Sequence, residues 1–270
     1  MVRWVLVLLL VLAAPLGAEE RRPSHCIALA EAPGLEYLHH ALFRDPLDKN
    51  HVRISYIAHA SFLIQAHDGV SAVTDFTGFI GNVDFLPTVV TMNHAHDTHW
   101  TPYPDPAIPY VLQGWDDLGE KAVHHLDLGS MLVRNVPTDI RRHGGVEENG
   151  NSIFVFEVRG LCIAHLGHLH HEPNPAQYAA LGRMDVVMAA VDGGMSLDTA
   201  TMMRVLRNVK AQVVIPMHWF EGWTLESFLA GMSDEYEIVI DGASEIELSL
   251  RTLPNRPVIR VLAPRYLKEP

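Results

Sequence analysis

The sequence predicts an α/β fold in which two β-sheets, with helices outside them, form one domain over about residues 52–265. Three observations carry this expectation. Short β-patterned runs joined by turn residues fill the first half. Buried strands alternate with helical segments in the second, and no Pro/Gly-rich linker separates the two. With 270 residues, 48% of them hydrophobic and 19% charged, the chain is long enough to bury such a core.

Residues 1–18 stand apart from that domain. Arg3 gives a positive start, 4–12 is apolar, and Leu16-Gly17-Ala18 precedes Glu19-Glu20. This reads as a secretory signal peptide, too short to span a bilayer comfortably, with an uncleaved anchor as the alternative. The expected location is therefore exported, periplasmic or secreted, with no stable membrane association once the signal is removed. Residues 19–51 form an N-terminal lead-in with a short helix around 35–43.

From Val52 the pattern changes. Residues 52–57 alternate, 61–65 are apolar, His67-Asp68-Gly69 supplies a turn, and 70–74 continue as a strand ending at Asp75. Residues 88–92 form a β-branched run that stops at Asn93-His94. A strand is expected over 131–136, and 152–158 pairs with 161–164 across Arg159-Gly160. Residues 174–181 look helical and 185–190 form a buried strand. Ser196 is the expected N-cap of a helix whose Met202, Met203, Leu206 and Val209 share one face. The strand 211–215 is expected to halt at Pro216, and Thr224 to cap a helix ending near Gly231. Strands over 236–240, 245–250 and 258–261 complete the chain.

The formal charge is −12, and loss of 1–18 removes only Arg3 and makes it one unit more negative. A surface this acidic, with no basic block, argues against nucleic acid as a partner and leaves a small-molecule substrate as the expectation. Oligomeric state is not legible. The two cysteines, Cys26 and Cys162, can pair after export, although a buried free thiol at Cys162 fits the strand pattern equally well.

The anomaly is 17 histidines. His94-Ala95-His96-Asp97-Thr98-His99 follows a buried strand directly. His143 stands in Arg141-Arg142-His143-Gly144-Gly145, in the segment between the strand over 131–136 and the hairpin at Ser152. His165, His168, His170 and His171 follow the strand 161–164, and His218 follows 211–215 within Pro216-Met217-His218-Trp219. Neutral imidazole is the commonest zinc ligand, and histidines at i, i+2 and i+5 in turning backbone can grip an ion. A polar loop, or a helix start capped by Asp97, would explain the first group alone. Four strand ends each delivering histidine are not explained that way.

These residues resemble the metallo-β-lactamase superfamily, in particular the branch of ascorbate-6-phosphate lactonase-like hydrolases. The resemblance runs through Tyr56-Ile57-Ala58-His59-Ala60-Ser61-Phe62, Thr74-Asp75, the His94 to His99 signature, the hairpin leading to His168, and Pro216-Met217-His218. It implies a four-layer αββα sandwich with the site at one edge between the sheets. It also implies His94, His96 and His143 as ligands of a first metal, with His99 and His218 at a second. The cofactor implied is zinc, as one or two ions, with manganese or iron as alternatives.

Two positions depart from the family pattern. Thr98 stands where a metal-binding Asp is usual, and His168 follows Gly167 where a bridging Asp is usual. His168 is expected to remain a ligand, and Asp97, displaced by one residue, to act as base or to orient water. His59, Asp75, Thr98, His165, His170 and His171 would stand behind the ligands or line the pocket; Trp100 and Trp219 flank ligand positions and fit either an apolar pocket wall or the core. The expected activity is metal-dependent hydrolysis of an ester, lactone or phosphodiester-type bond by an activated water. The alternative is a non-catalytic exported metal- or ligand-binding protein that keeps the fold.

Overall fold

A computed structural model describes residues 22–28, 43–220 and 222–269. The signal sequence expected over 1–18, and nearly all of the helix expected over 35–43, lie outside the described residues. In chain order the elements are α1 (His25–Ala28), β1 (Val52–Ala58), β2 (Ser61–Ala66), β3 (Ser71–Val73), β4 (Gly81–Asn82), β5 (Val89–Met92) and β6 (Tyr110–Gln113). They continue with β7 (His125–Asp127), β8 (Met131–Arg142), β9 (Gly145–Val158), β10 (Leu161–His165), α2 (Pro175–Leu181), β11 (Val186–Ala190) and α3 (Thr199–Val209). The chain closes with β12 (Val213–Met217), α4 (Gly222–Met232), β13 (Glu237–Ile240), β14 (Glu245–Leu248), β15 (Val258–Val261) and β16 (Leu267–Lys268).

Two sheets face each other. One has the order β14-β1-β2-β3-β5-β6 and the other β13-β15-β12-β11-β10-β9-β8-β7, while β16 and β4 form a small ribbon. The alternation read in β1 and β2 places Ile54, Tyr56, Phe62 and Ile64 inward, where they meet Val133, Phe156, Ile163, Met188 and Ile215 of the second sheet. The opposite face of the second sheet is covered by helices, with Leu181, Met202, Val205, Leu206 and Phe228 packed on Val187 and Val214. The mixed α/β layering is as expected, and among the described residues the first sheet's outer face is covered as well. Loop side chains, including Phe43, Phe76, Ile80, Ile108 and Trp115, pack there on Leu63, Val90 and Met92.

Three local expectations are corrected. The helix α3 is capped by Asp198, not Ser196: the Asp198 side chain accepts from the Thr201 N–H, while the Ser196 N–H is itself bound to Asp192. Pro216 does not stop β12. Pairing with β15 covers only Val213 and Val214, whereas pairing with β11 continues to Met217, so the missing N–H at 216 falls where only one neighbour remains. The hairpin of β8 and β9 continues, through a register shift between Thr138 and Ile140, to Arg142 and Gly145, well beyond the strand expected over 131–136.

Cys26 and Cys162 are bonded, with Cα atoms 5.8 Å apart. Of the two readings left open, the disulfide is the one found, and it ties α1 to β10. No helix among the described residues is long and apolar enough to cross a membrane.

Candidate metal centre

The two sheets bring several strand ends to one edge, and that is where the histidines gather. His96 and His99 lie in the loop after β5, His168 follows β10, and His218 follows β12. One ring nitrogen from each falls within 4.8 Å of those of the others. The loop bearing the first two is held in shape by Arg142, whose guanidinium donates to the carbonyls of His94 and Ala95 at 2.5 Å each. His218 is the residue that leaves β12, and its φ of +57° turns it toward the site; its N–H donates to the His59 carbonyl at 3.0 Å. His59 (φ +50°) and Asp75 (φ +41°) share that unusual backbone conformation, so strained positions concentrate at this edge.

Two of the four imidazoles are backed by buried carboxylates. His99 Nδ1 lies 2.5 Å from Asp75 Oδ2, and Asn93 donates to the other oxygen of Asp75 at 2.9 Å. His218 Nδ1 lies 2.8 Å from Asp192 Oδ2, and Asp192 also accepts from the Gly194 and Ser196 N–H groups. A carboxylate on Nδ1 holds the proton there and leaves Nε2 as a bare lone pair. The Nε2 atoms of both His99 and His218 are buried and have no hydrogen-bond partner. An orphaned acceptor is costly to bury, and two of them converging beside His96 and His168 fit a cation.

Burial disfavours the charged form of His59, His96, His99, His168 and His170. Burial, reinforced by the neighbouring His218, pulls His99 well below the ordinary imidazole value and brings His59 down to about 3. His170 falls to about 4 through burial and the Arg141 charge, and His168 is lowered mainly by burial. Burial pushes the Asp75 carboxyl up to about 6. At Asp192 burial works upward too, but hydrogen bonds from His218, Gly194 and Ser196 outweigh it and hold the carboxyl below its usual range.

The structure does not bring every expected ligand to this point. His94 turns away, with Nδ1 2.7 Å from Glu147 Oε1 and its ring stacked on Trp115. His143 is exposed at the tip of the β8–β9 hairpin, because the segment read as a connection is continuous strand. Asp97 is exposed and makes no hydrogen bond among the described residues. Thr98 bridges two rings, its Oγ1 lying 2.7 Å from His96 Nδ1 and 2.9 Å from His59 Nε2. His165 is fully buried and donates from Nε2 to the Ala60 carbonyl at 2.7 Å, joining the sheets behind the site. His170 backs His168 at 2.5 Å, and His171 is exposed.

Trp100 packs edge-on to Trp115, and Trp219 packs against the core behind the second sheet, so of the two roles open to them both take the core one. Phe220 was not singled out from sequence; it is 55% exposed with its ring 4.9 Å from that of His218, which makes it a wall of the opening. Asp192 was missed as well. Its signal was an Asp at the end of a buried strand before Gly193-Gly194, the same logic that marked Asp75.

A family model described as "Beta-lactamase superfamily domain" matches residues 53–218. Among solved structures, the chain is similar to a candidate Zn-dependent hydrolase of the metallo-β-lactamase superfamily from Thermotoga maritima. The identity is 24%, the TM-score 0.56, and the match covers 78% of this chain and 98% of that one. It is also similar to a candidate metal-dependent hydrolase from Parabacteroides distasonis, with 14% identity and a TM-score of 0.55, covering 86% and 100%. A metallo hydrolase from Ignicoccus hospitalis matches at 12% identity with a TM-score of 0.52, covering 74% and 99%. No curated protein matches the sequence. At these identities the structural likeness establishes the fold.

Proposed function

The chain belongs to the β-lactamase superfamily, and from that premise we propose that it is a metal-dependent hydrolase of ester, lactone or phosphodiester-type bonds. The observation that supports this reading most is the pair of carboxylate-backed imidazoles, His99 and His218, whose buried Nε2 atoms have no partner in the protein. His96, reaching the same point from the exposed side of the loop, completes a set of nitrogens suited to zinc, manganese or iron.

A divalent ion held there would supply Lewis acidity and lower the pKa of water to about 7. The chain's own contribution is geometric. Asp75 and Asp192 fix ring tautomer and orientation, and the buried surround excludes bulk water from the inner face. Thr98 ties the exposed His96 to His59 and limits its motion. Phe220, with its ring against those of His59 and His218, gives the opening an apolar wall for the non-reacting part of a substrate. The four clustered nitrogens come with no carboxylate to bridge a second ion, which favours a single metal. We further propose an oxidising location outside the cytoplasm, a reading the Cys26–Cys162 disulfide supports.

The test is metal analysis followed by turnover on a panel of lactones, carboxylic esters and phosphodiesters. Zinc-dependent hydrolysis abolished by His218→Ala is the expected result. Tight metal binding with no turnover on any member would assign the protein to metal binding without catalysis, a reading the absence of a carboxylate from the cluster favours. Absence of bound transition metal would overturn both.

A further inference from the structure

The hydrogen bonds behind His168 differ in kind from those behind His99 and His218, and their direction can be read from one fixed donor. The backbone N–H of Arg141 donates to His170 Nδ1 at 2.8 Å. A backbone amide can only donate, so His170 carries its own proton on Nε2. That nitrogen is 2.5 Å from His168 Nδ1, which must therefore accept. His168 is left with its proton on Nε2, the nitrogen that faces the site. A second proton on either ring would point at a donor, so both rings are neutral in this arrangement.

The sequence of bonds continues outward. His168 Nε2 is 3.2 Å from His96 Nε2, which accepts and so keeps its proton on Nδ1. That proton goes to Thr98 Oγ1 at 2.7 Å, and the Thr98 hydroxyl donates in turn to His59 Nε2 at 2.9 Å. The outcome is an asymmetric cluster. His96, His99 and His218 present lone pairs, and His168 presents an N–H. A spacing of 3.2 Å would suit two ligands of one tetrahedral ion as well. The Arg141 amide decides against that alternative, because a neutral His168 held by His170 has no lone pair to give.

Resting on the hydrolase reading above, we propose that His168 is a hydrogen-bond donor within the site and not a fourth ligand. Three histidines take the metal through Nε2. Once His96 does so, the His168 N–H loses its present acceptor and turns to an oxygen of the bound substrate. Such a donor suits a substrate that develops negative charge on oxygen, a carbonyl or phosphoryl group. His170 is then a positioning residue. It fixes the tautomer of His168 where a carboxylate would reverse it, and this accounts for a His-Leu-His pair following Gly167.

The experiment uses the full chain labelled with ¹⁵N in histidine. Long-range ¹H–¹⁵N spectra of the metal-free and zinc-loaded protein report each tautomer, and ¹¹³Cd substitution reports which nitrogens bind. We expect His168 to be protonated on Nε2 in both states, and His99 and His218 on Nδ1. Cadmium coupling should reach His96, His99 and His218 only. His168→Gln should weaken zinc binding less than about 10-fold, against about 100-fold or more for His218→Gln. Coupling of cadmium to His168, or a proton on its Nδ1, overturns the inference and leaves the hydrolase reading standing. A wild type that takes up no metal overturns the hydrolase reading, while the metal-free spectrum still decides the tautomer. The wild-type spectra do not depend on whether a variant folds.

Discussion

Replacing Asp192 with Asn changes one oxygen to an amide, and the structure fixes where the change is felt. Asp192 Oδ1 accepts from the N–H groups of Gly194 at 2.9 Å and Ser196 at 3.0 Å, while Oδ2 faces His218 Nδ1 at 2.8 Å and shares the Ser196 N–H at 3.1 Å. The Asn oxygen keeps the Oδ1 position, where the contacts from Gly194 and Ser196 are shortest, since an amide turned the other way would set its NH₂ against the Gly194 N–H. The NH₂ therefore takes the place of Oδ2 and faces Nδ1. His218 responds by moving its proton to Nε2, which removes its lone pair from the site. Loss of an orienting carboxylate of this kind weakens metal binding by about 10–100-fold, or about 1.4–2.7 kcal/mol. Competition between protein and a chelator for zinc measures it, with circular dichroism as the control on folding. A folded Asp192→Asn protein that binds zinc within about twofold of wild type would refute the tautomer argument.

Other consequences follow from the same geometry. A Cβ at Gly167, where φ is +59°, would come within 2.5 Å of Asn151 Oδ1 and Asn93 Nδ2. Gly167→Ala should therefore cost at least about 2 kcal/mol in denaturant unfolding and loosen metal binding through Asn93 and Asp75; an unperturbed midpoint would contradict the packing. The Cys26–Cys162 bridge closes a separation of 136 residues. Chain entropy puts its contribution at about 5 kcal/mol, so the double Cys→Ser variant should unfold at much lower denaturant, and an unchanged curve would rule that contribution out. In metal-free protein His59, His99, His168 and His170 hold protons less tightly than they would when unfolded. Their stabilisation is complete above pH 6.5 and is lost as pH falls toward their folded values, while Asp75, raised to about 6, opposes them as a single group between about pH 6 and 4. Stability should thus decline from pH 7 to 4.5, by at most about 1.4 kcal/mol per pH unit for each net proton and less for the part-exposed His59. A flat profile in chelator-treated protein would show that the rings are not withdrawn from water.

Much of this was legible because strands write their burial into alternation and their ends into turn residues. The β1–β2 hairpin, the strand before His94, and the α/β texture after residue 174 all follow from that rule. The errors have equally physical causes. His143 falls beyond the strand expected over 131–136, yet the long β8–β9 hairpin carries the polar stretch Pro137-Thr138-Asp139 past a register shift between Thr138 and Ile140 and sets His143 at its tip. His94 has the same spacing as a ligand and the same residue type. What removes it is Glu147 on the neighbouring hairpin, more than fifty positions away.

By itself the sequence determined the class of the fold, the clustering of imidazole at strand ends, and the family whose motif those residues follow. These are local properties, set by periodicity and by which residues stand where a strand runs out. Only the tertiary structure decided which rings meet, which carry a carboxylate behind them, and on which nitrogen each proton sits. Those outcomes depend on the approach of β5, β10, β11 and β12 at one sheet edge. A difference of one hydrogen-bond acceptor there separates a nitrogen that can bind a metal from one that can only donate.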